Sequence, residues 1–348
     1  MRVAIDARRL QDRPLFGVGR GLANLIPHLA SQAEVTLLFD RRRPTPAIAG
    51  CRQVALFGWG PLPEPAWLQF SAGWWSRRTP VVFHGPYNAV PYASRHPRVV
   101  TLHDLAWEEH GEDYPSRSRQ LAIRTQARWS ARHSDVVLTV SQYTRTRIIE
   151  QYGIQPDRVL VSPNAVDPVF TPDRAGQWAS DIPYVVALGG ARRRGLEVAV
   201  AAWRIARMQS GSKFKLVVVG NREPIQDPDI IDVGVVDDET WAAILAGGTA
   251  FCFPTRYEGF GMPALEAAAS GVPVVCPRVT ALPEVLGTAA EWAESASVEH
   301  MAAALRKVLE DHGRREELTA AGIAQAAALP GWADSARIIL EAYRLAAA

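Results

Sequence analysis

Short apolar runs alternate with stretches of helical periodicity along almost the whole chain. Arg2–Asp6, Val35–Phe39, Pro80–His84, Arg98–His103, Asp135–Val140 and Arg158–Val161 read as strands. Helical patterns separate them, and that alternation predicts a parallel sheet covered on both faces. One helix is expected from the Gly17 turn through His28 and another from Pro115 through His133. A third should run from an N-cap at Ser141 to a terminating glycine at Gly153. Between Ser162 and Pro183 the pattern dissolves into Ser-Pro-Asn-Ala-Val-Asp-Pro-Val-Phe-Thr-Pro-Asp, whose density of turn residues marks a connector. The alternation then resumes, with strands expected at Tyr184–Leu188, Phe214–Gly220, Thr249–Phe253 and Val272–Cys276 and a helix from Leu196 to Arg207. These boundaries give one α/β domain at residues 1–167 and a second at 175–330. Pro330-Gly331-Trp332 breaks the chain before a last helix, at about 331–345.

Leu56 to Trp75 holds Trp59, Trp67, Phe70, Trp74 and Trp75, flanked by Arg41-Arg42-Arg43 and Arg77-Arg78. Trp67, Phe70 and Trp74 recur at helical spacing, which favours a core-facing helix. The alternative is a Trp-and-Arg surface that rests on lipid headgroups. The formal charge is +2, so no global field argues for a nucleic-acid partner, and only Lys213, Lys215 and Lys307 are lysines. Cys51, Cys252 and Cys276 are odd in number and widely spaced, and the last two lie in buried-strand contexts, where inert thiols are expected. The chain enters a strand at Val3-Ala4-Ile5 without the layout of a signal peptide, and no apolar run is long enough to span a bilayer. A cytoplasmic protein is expected.

The candidate chemistry concentrates between Phe253 and Val275. A strand ends at Pro254, a turn carries Gly259-Phe260-Gly261, and a helix opens with Met262 and Pro263 and closes before Gly271 and Pro273. A helix starting just after such a turn aims backbone N–H groups and a positive dipole end at it, which is how proteins hold phosphate. The glycines would let a ligand approach the backbone. Glu258 lies in the turn between aromatic neighbours, and Glu266 lies one helical turn inside; taken alone, Glu266 could simply complement the dipole. Upstream, Gly189-Gly190-Ala191-Arg192-Arg193-Arg194-Gly195 follows a strand and precedes a helix. Three arginines there oppose the helix dipole unless an anion lies among them. Phe16-Gly17-Val18-Gly19, after the first strand, is by itself a weak dinucleotide signal.

Glu258-Gly-Phe-Gly-Met-Pro-Ala-Leu-Glu266 resembles the Glu-x7-Glu motif of retaining GT-B glycosyltransferases, most closely those of family 4, and the resemblance extends over nearly the entire chain. It implies two Rossmann-like domains facing each other across a cleft. The first would bind the acceptor, the second the nucleotide-sugar, and the last helix would pack back on the first. The resemblance implies that Arg193 and Arg194, matching an Arg-Lys pair, hold the donor diphosphate, with Gly190 in the turn before them. Gly17 and Gly19 would approach the same diphosphate. His103 would contact the donor sugar near its anomeric carbon, and Asp104 would orient that loop or hold His103. The backbone of Asp232-Val233-Gly234-Val235-Val236 would recognise the base, Glu266 the ribose and Glu258 the sugar. Pro163-Asn164-Ala165-Val166-Asp167 is similar to the family's Pro-Asn-Gly-Val-Asp connector, with Ala165 in place of glycine. Leu282-Pro283-Glu284-Val285 also follows the family pattern.

The implied activity is a metal-independent hexosyl transfer in polysaccharide biosynthesis. The first-choice donor is GDP-mannose, with UDP-sugars next, and the acceptor is a glycan, a lipid-linked sugar or a small molecule. The donor is a co-substrate; no cofactor is expected. No Asp-x-Asp metal motif is present, and Asp237-Asp238 is expected as a helix cap. Peripheral contact with the inner face of the cell membrane goes with the surface reading of the Trp-rich stretch. A GT-B sugar phosphorylase or epimerase, and a non-catalytic nucleotide-sugar-binding subunit, are the alternatives.

Overall fold

The structure, a computed structural model, describes every residue except Arg13, Pro14, Phe16, 58–65, Pro80, 179–181, Ser212, Arg222 and Pro224. Trp59, Phe16 and Pro80 of the sequence reading therefore lie outside the described residues. The chain divides into two compact units, Met1–Ala165 with Pro330–Ala348, and Val166–Leu329.

In the first unit, seven strands form one parallel sheet: β1 (Arg2–Asp6), β2 (Glu34–Asp40), β3 (Arg52–Leu56), β4 (Val82–Gly85), β5 (Arg98–Leu102), β6 (Val136–Thr139) and β7 (Val159–Val161). Their order is β3-β2-β1-β4-β5-β6-β7. Both faces are covered, which is why the inner strands are mainly apolar. Val3 and Ile5 pack with Leu22, Ile26 and Leu29 of the helix Val18–Ala30, whereas Ala4 faces the other way, into a core with Trp67, Phe83 and Val100. The last helix, Trp332–Ala347, adds Ile339, Leu340 and Tyr343 to the first of these cores. Ser335 Oγ donates to Pro163 O (2.5 Å) and Ser162 Oγ to Ser335 O (3.1 Å).

The second unit holds β8 (Tyr184–Leu188), β9 (Lys215–Val219), β10 (Ile230–Gly234), β11 (Ala250–Cys252), β12 (Val274–Pro277) and β13 (Ala290–Ala293), all parallel, in the order β10-β9-β8-β11-β12-β13. In each sheet the strand order reverses once, between β1 and β4 and between β8 and β11. Open α/β sheets bind ligands outside the carboxyl ends of the strands at that reversal.

Three strands, β3, β10 and β13, escape the sequence reading, and each is a sheet edge. An edge strand need not be apolar on both faces: Arg52 and Gln53 are exposed in β3 and Asp232 sits inside β10. The helix expected from Pro115 starts at Arg117, because Ser116 takes the N-cap and accepts from Arg119 N. The core-facing reading of the Trp-rich stretch fails for two of its three residues. Trp67 is buried, but Phe70 is 58% and Trp74 61% exposed. The cause is a π-helical turn over Trp67–Ala72, followed by an α-helical turn over Gly73–Ser76. Bonds from i to i+5 turn each residue through less than the ~100° of an α-helix, so residues that would share an α-helical face separate. Cys252 and Cys276 are fully buried, and burial pushes the Cys252 thiol up to about 12 and the Cys276 thiol further in the same direction.

Candidate functional site

In the second unit two turns meet above the strand-order reversal. β8 runs into Gly189-Gly190 and a 3-10 turn over Arg192–Arg194, and β11 runs into Pro254 and the turn holding Glu258. The turns are laced together by Arg256 N donating to Arg193 O (2.8 Å) and Arg193 Nε donating to Tyr257 O (3.2 Å). Gly195 permits this approach: its φ is +67°, and a Cβ there would stand 2.7 Å from Pro254 O. Arg194 Nη1 donates to Gly189 O (3.4 Å), beside Gly190. Arg194 Nε lies 3.9 Å from Glu258 Oε1 and is buried with no hydrogen-bond partner in the protein. A buried guanidinium N–H left this way is costly unless water or a ligand meets it, and its charge selects an anion.

Glu258 is 7% exposed. Thr255 Oγ1 lies within hydrogen-bond reach of its Oε1 (3.4 Å) and of Tyr257 O (3.3 Å), and the Glu258 backbone N–H donates to Thr280 Oγ1 (3.0 Å). Thr280 sits at φ +50°, which costs a β-branched residue and places its hydroxyl under the Glu258 amide. Gly259 and the buried Phe260 lead to Gly261, the N-cap of the helix Met262–Ala269, at φ +98°. A Cβ at Gly261 would stand 2.4 Å from Leu282 Cδ2, so this glycine makes room for a side chain of its own fold. Met262 and Pro263 open the helix: Pro263 has no N–H, Ala264 N donates to Gly261 O (3.0 Å), and the Met262 N–H is left without an intrahelical acceptor. Glu266, further along the same helix, is 2% exposed and accepts from Trp241 Nε1 (2.9 Å).

Val233 is half-buried in the edge strand β10. Next to it Asp232 accepts from Asn221 Nδ2, Ile225 N and Gly234 N, each at 3.1 Å, which joins the turn after β9 to the end of β10. Asp237 caps the helix Asp238–Ala246 by accepting from Thr240 N (2.9 Å).

In the first unit, Gly17 is the N-cap of the helix Val18–Ala30, and a Cβ at Gly19 would lie 2.7 Å from Arg9 O. His103 follows β5. Its Nε2 bonds to Pro86 O (2.8 Å), and its backbone N–H reaches Asn88 Oδ1 (3.4 Å), Asn88 being held at φ +57°. Burial lowers the His103 pKa, against the opposing pull of the Pro86 bond and Asp104, so the ring is neutral at pH 7 with its proton on Nε2. Asp104 Oδ1 accepts from Ala106 N (3.0 Å) and so orients the loop.

Arg193, Arg194, Gly190, Glu258 and the 259–263 turn thus gather at one place in the second unit, while Glu266 lies deeper on the same helix. His103, Gly17 and Gly19 belong to the first unit. Sequence reasoning missed Thr255, Thr280, Asn221 and Trp241, which hold the candidate groups in place; it singled out the Asp232 segment for its backbone, not for the carboxylate that ties it to Asn221.

Two family models match different parts of the chain: Glycosyltransferase Family 4 over residues 17–170, and Glycosyl transferases group 1 over residues 182–311. The O-antigen chain mannosyltransferase B of Escherichia coli is 28% identical, over 76% of this chain and 74% of its own. The MMP alpha-(1->4)-mannosyltransferase of Mycolicibacterium hassiacum is 32% identical over 53% of this chain, which spans only 50% of that protein. Sucrose-phosphate synthase from Thermosynechococcus elongatus superposes with a TM-score of 0.79 at 19% identity, over 99% of this chain and 98% of its own. Anabaena HepE, solved with UDP and glucose, gives 0.71 at 15% identity over 98% of both chains. Such likenesses, together with the two parallel sheets, establish the GT-B fold, and the paired family models identify the chain as a member of the family 4 glycosyltransferases.

Proposed function

We propose that this protein is a retaining glycosyltransferase that moves mannose from a nucleotide-diphosphate donor, GDP-mannose first among the choices, to a glycan or lipid-linked acceptor without a metal ion. The observation that carries the reading is the buried Nε of Arg194, ion-paired at 3.9 Å with the Glu258 carboxylate but without a hydrogen-bond partner, at the carboxyl end of the second sheet. Mannose is supported by the names of the Escherichia coli and Mycolicibacterium relatives.

Breaking the anomeric C–O bond puts negative charge on the leaving diphosphate and positive charge on the sugar ring. Arg193, Arg194 and the amides of the turn from Gly259 to Met262 would stabilise the first, being fixed in place before that charge develops. Glu258, held through Thr255 and Thr280, would face the sugar and the second charge. Glu266 would accept from the ribose hydroxyls, and Val233 would lie against the base. For neutral His103 we keep the donor-sugar contact that the resemblance implies.

Among the described residues no helix is long and apolar enough to cross a membrane. We propose instead a peripheral contact, through exposed Phe70 and Trp74 with Arg77 and Arg78, to an anionic bilayer that carries the acceptor.

The test is transfer from GDP-mannose to a mannosyl oligosaccharide in excess EDTA, with the new linkage assigned by NMR. An α-linked product in EDTA is expected. Activity that vanishes in EDTA and returns with Mg²⁺ removes the arginines as the main leaving-group stabilisers, and a β-linked product removes retention. Sugar phosphate, or an epimerised donor formed without acceptor, would favour the phosphorylase or epimerase.

A further inference from the structure

The helix Asp238–Ala246 carries none of the candidate groups, yet its Trp241 reaches Glu266. The indole is 7% exposed, its ring sits edge-on to Phe251 at 6.0 Å, and its N–H donates to Glu266 Oε2 at 2.9 Å. Indole N–H is a donor only, and the carboxylate of Glu266 is 2% exposed. A charge-assisted bond between two groups this buried is strong, and it sets direction as well as energy. Glu has three side-chain torsions, and its last is broad, so burial alone leaves the carboxylate plane loosely fixed. Trp241, clamped between the helix Met262–Ala269 and Phe251, supplies a rigid donor that fixes the plane. A carboxylate offers about four acceptor positions, and the indole bond takes one of them.

We propose that Trp241 is a positioning residue for nucleotide recognition: its indole N–H holds the Glu266 carboxylate in the orientation that receives the ribose hydroxyls of a nucleoside diphosphate. The inference rests on the ribose-binding role of Glu266 given above. Its physical content is pre-organisation. Without the indole bond less of the carboxylate's orientation is set in advance, and affinity falls by the cost of completing it on binding. Trp241 touches neither sugar nor diphosphate in this account, so its loss weakens bound donor and transition state alike. It therefore raises KM and spares kcat.

The test is a thermodynamic cycle between protein and ligand. Trp241→Phe keeps the aromatic body and deletes the N–H. Calorimetry is run on the parent and Trp241→Phe with GDP, UDP and their 2′-deoxy counterparts. With the ribonucleotide that the parent binds, Trp241→Phe should raise Kd about tenfold, as expected for one hydrogen bond to a charged group. With the 2′-deoxy ligand the two proteins should differ much less, because the hydroxyl that the carboxylate was oriented to receive is gone. A merely structural tryptophan lowers affinity for both ligands equally, and that result overturns the proposal, as does an unchanged Kd for the ribonucleotide. A parent that binds neither GDP nor UDP defeats the donor-site reading itself, and this inference with it. Should Trp241→Phe not fold, the ¹⁵N-labelled indole resonances of the parent serve. The one displaced by Glu266→Gln should move on addition of the bound ribonucleotide and move less with its 2′-deoxy form. An indole signal indifferent to the ribose overturns the proposal as firmly.

Discussion

At the scale of single residues the two glutamates differ in their surroundings, and their roles should differ in kind. Glu266 is oriented by Trp241 and would meet a ribose that is the same in bound donor and transition state. Glu266→Gln should therefore raise KM and weaken nucleotide binding, with a smaller effect on kcat. Glu258 is held from both ends, at its carboxylate by Thr255 and at its amide by Thr280, and would meet positive charge that grows only as the bond breaks. Glu258→Gln should lower kcat by about a hundredfold or more while leaving affinity for the free nucleoside diphosphate nearly unchanged. Initial rates paired with calorimetry on both variants decide it: a Glu258→Gln protein that turns over normally but loses the nucleotide reverses the assignment. Both acids could be read in the sequence because they stand at a fixed spacing around a glycine turn. The side chains that aim them could not. Nothing in Val279-Thr280-Ala281 announces a threonine at φ +50°, since that conformation is imposed by its bond to a residue 22 positions earlier. Gly261 was legible as a glycine of the turn, but the Leu282 side chain that fills the space beside it was not, because it arrives from a separate segment.

At the scale of elements, the strands legible in advance are mainly those whose neighbours on both sides make them continuously apolar. Tyr184–Leu188 and Arg2–Asp6, both flanked by strands on either side, have the bounds the sequence predicts. The edges β3, β10 and β13 lack that constraint, and their polar positions hid them. The segment Trp67–Ser76 went wrong differently: its residues are helical, but a π-helical turn rotates Phe70 and Trp74 out of the core that holds Trp67. The Arg78 guanidinium lies 3.4 Å over the Trp74 ring, and Arg77 is exposed beside it, so aromatic surface and positive charge share one short element. Against vesicles of anionic phospholipid this element should bind at low salt and release as salt rises. Each basic residue near such a surface contributes ~1 kcal/mol, so replacing Arg77 and Arg78 by Gln should lower the partition coefficient about thirtyfold. Trp74→Ser should lower it further at an exposed site where the fold loses little. No binding of the parent to anionic vesicles at low salt would end the proposal of membrane contact.

At the scale of the whole molecule, two runs of α/β alternation around a turn-rich connector sufficed to anticipate two parallel sheets, though not the order of their strands. Less visible was how the chain end is fastened to the first sheet. Tyr343, on the last helix, bonds through its hydroxyl to Nδ1 of His84 in β4 (2.7 Å), and His84 Nε2 bonds to Thr101 Oγ1 in β5 (2.8 Å). An imidazole in the middle of an apolar strand is a polar residue whose partners lie 17 and 259 positions away, so the sequence offers no hint of them. Burial, reinforced by nearby His103 and opposed by Asp6, lowers the His84 pKa from 6.5 to about 3. The sign of the consequence follows from linkage. Above pH 6.5 the ring is neutral in folded and unfolded chain alike, and the full stability is present. As pH falls below 6.5 the unfolded chain takes up a proton that folded His84 refuses, and stability is lost progressively until the folded ring protonates near pH 3. One such group contributes ~1.4 kcal/mol per pH unit, so roughly 2 kcal/mol should be missing at pH 5, before most carboxylates begin to titrate. His103, lowered in the same direction, adds to the slope. Thermal unfolding at pH 7, 6 and 5 should therefore show the parent losing stability steadily with acid. His84→Gln, which cannot titrate, should start lower at pH 7, because Tyr343 loses its partner, but decline less steeply. If His84→Gln declines as steeply as the parent, the acid sensitivity belongs to other groups, and the joint between the last helix and the first sheet is not its source.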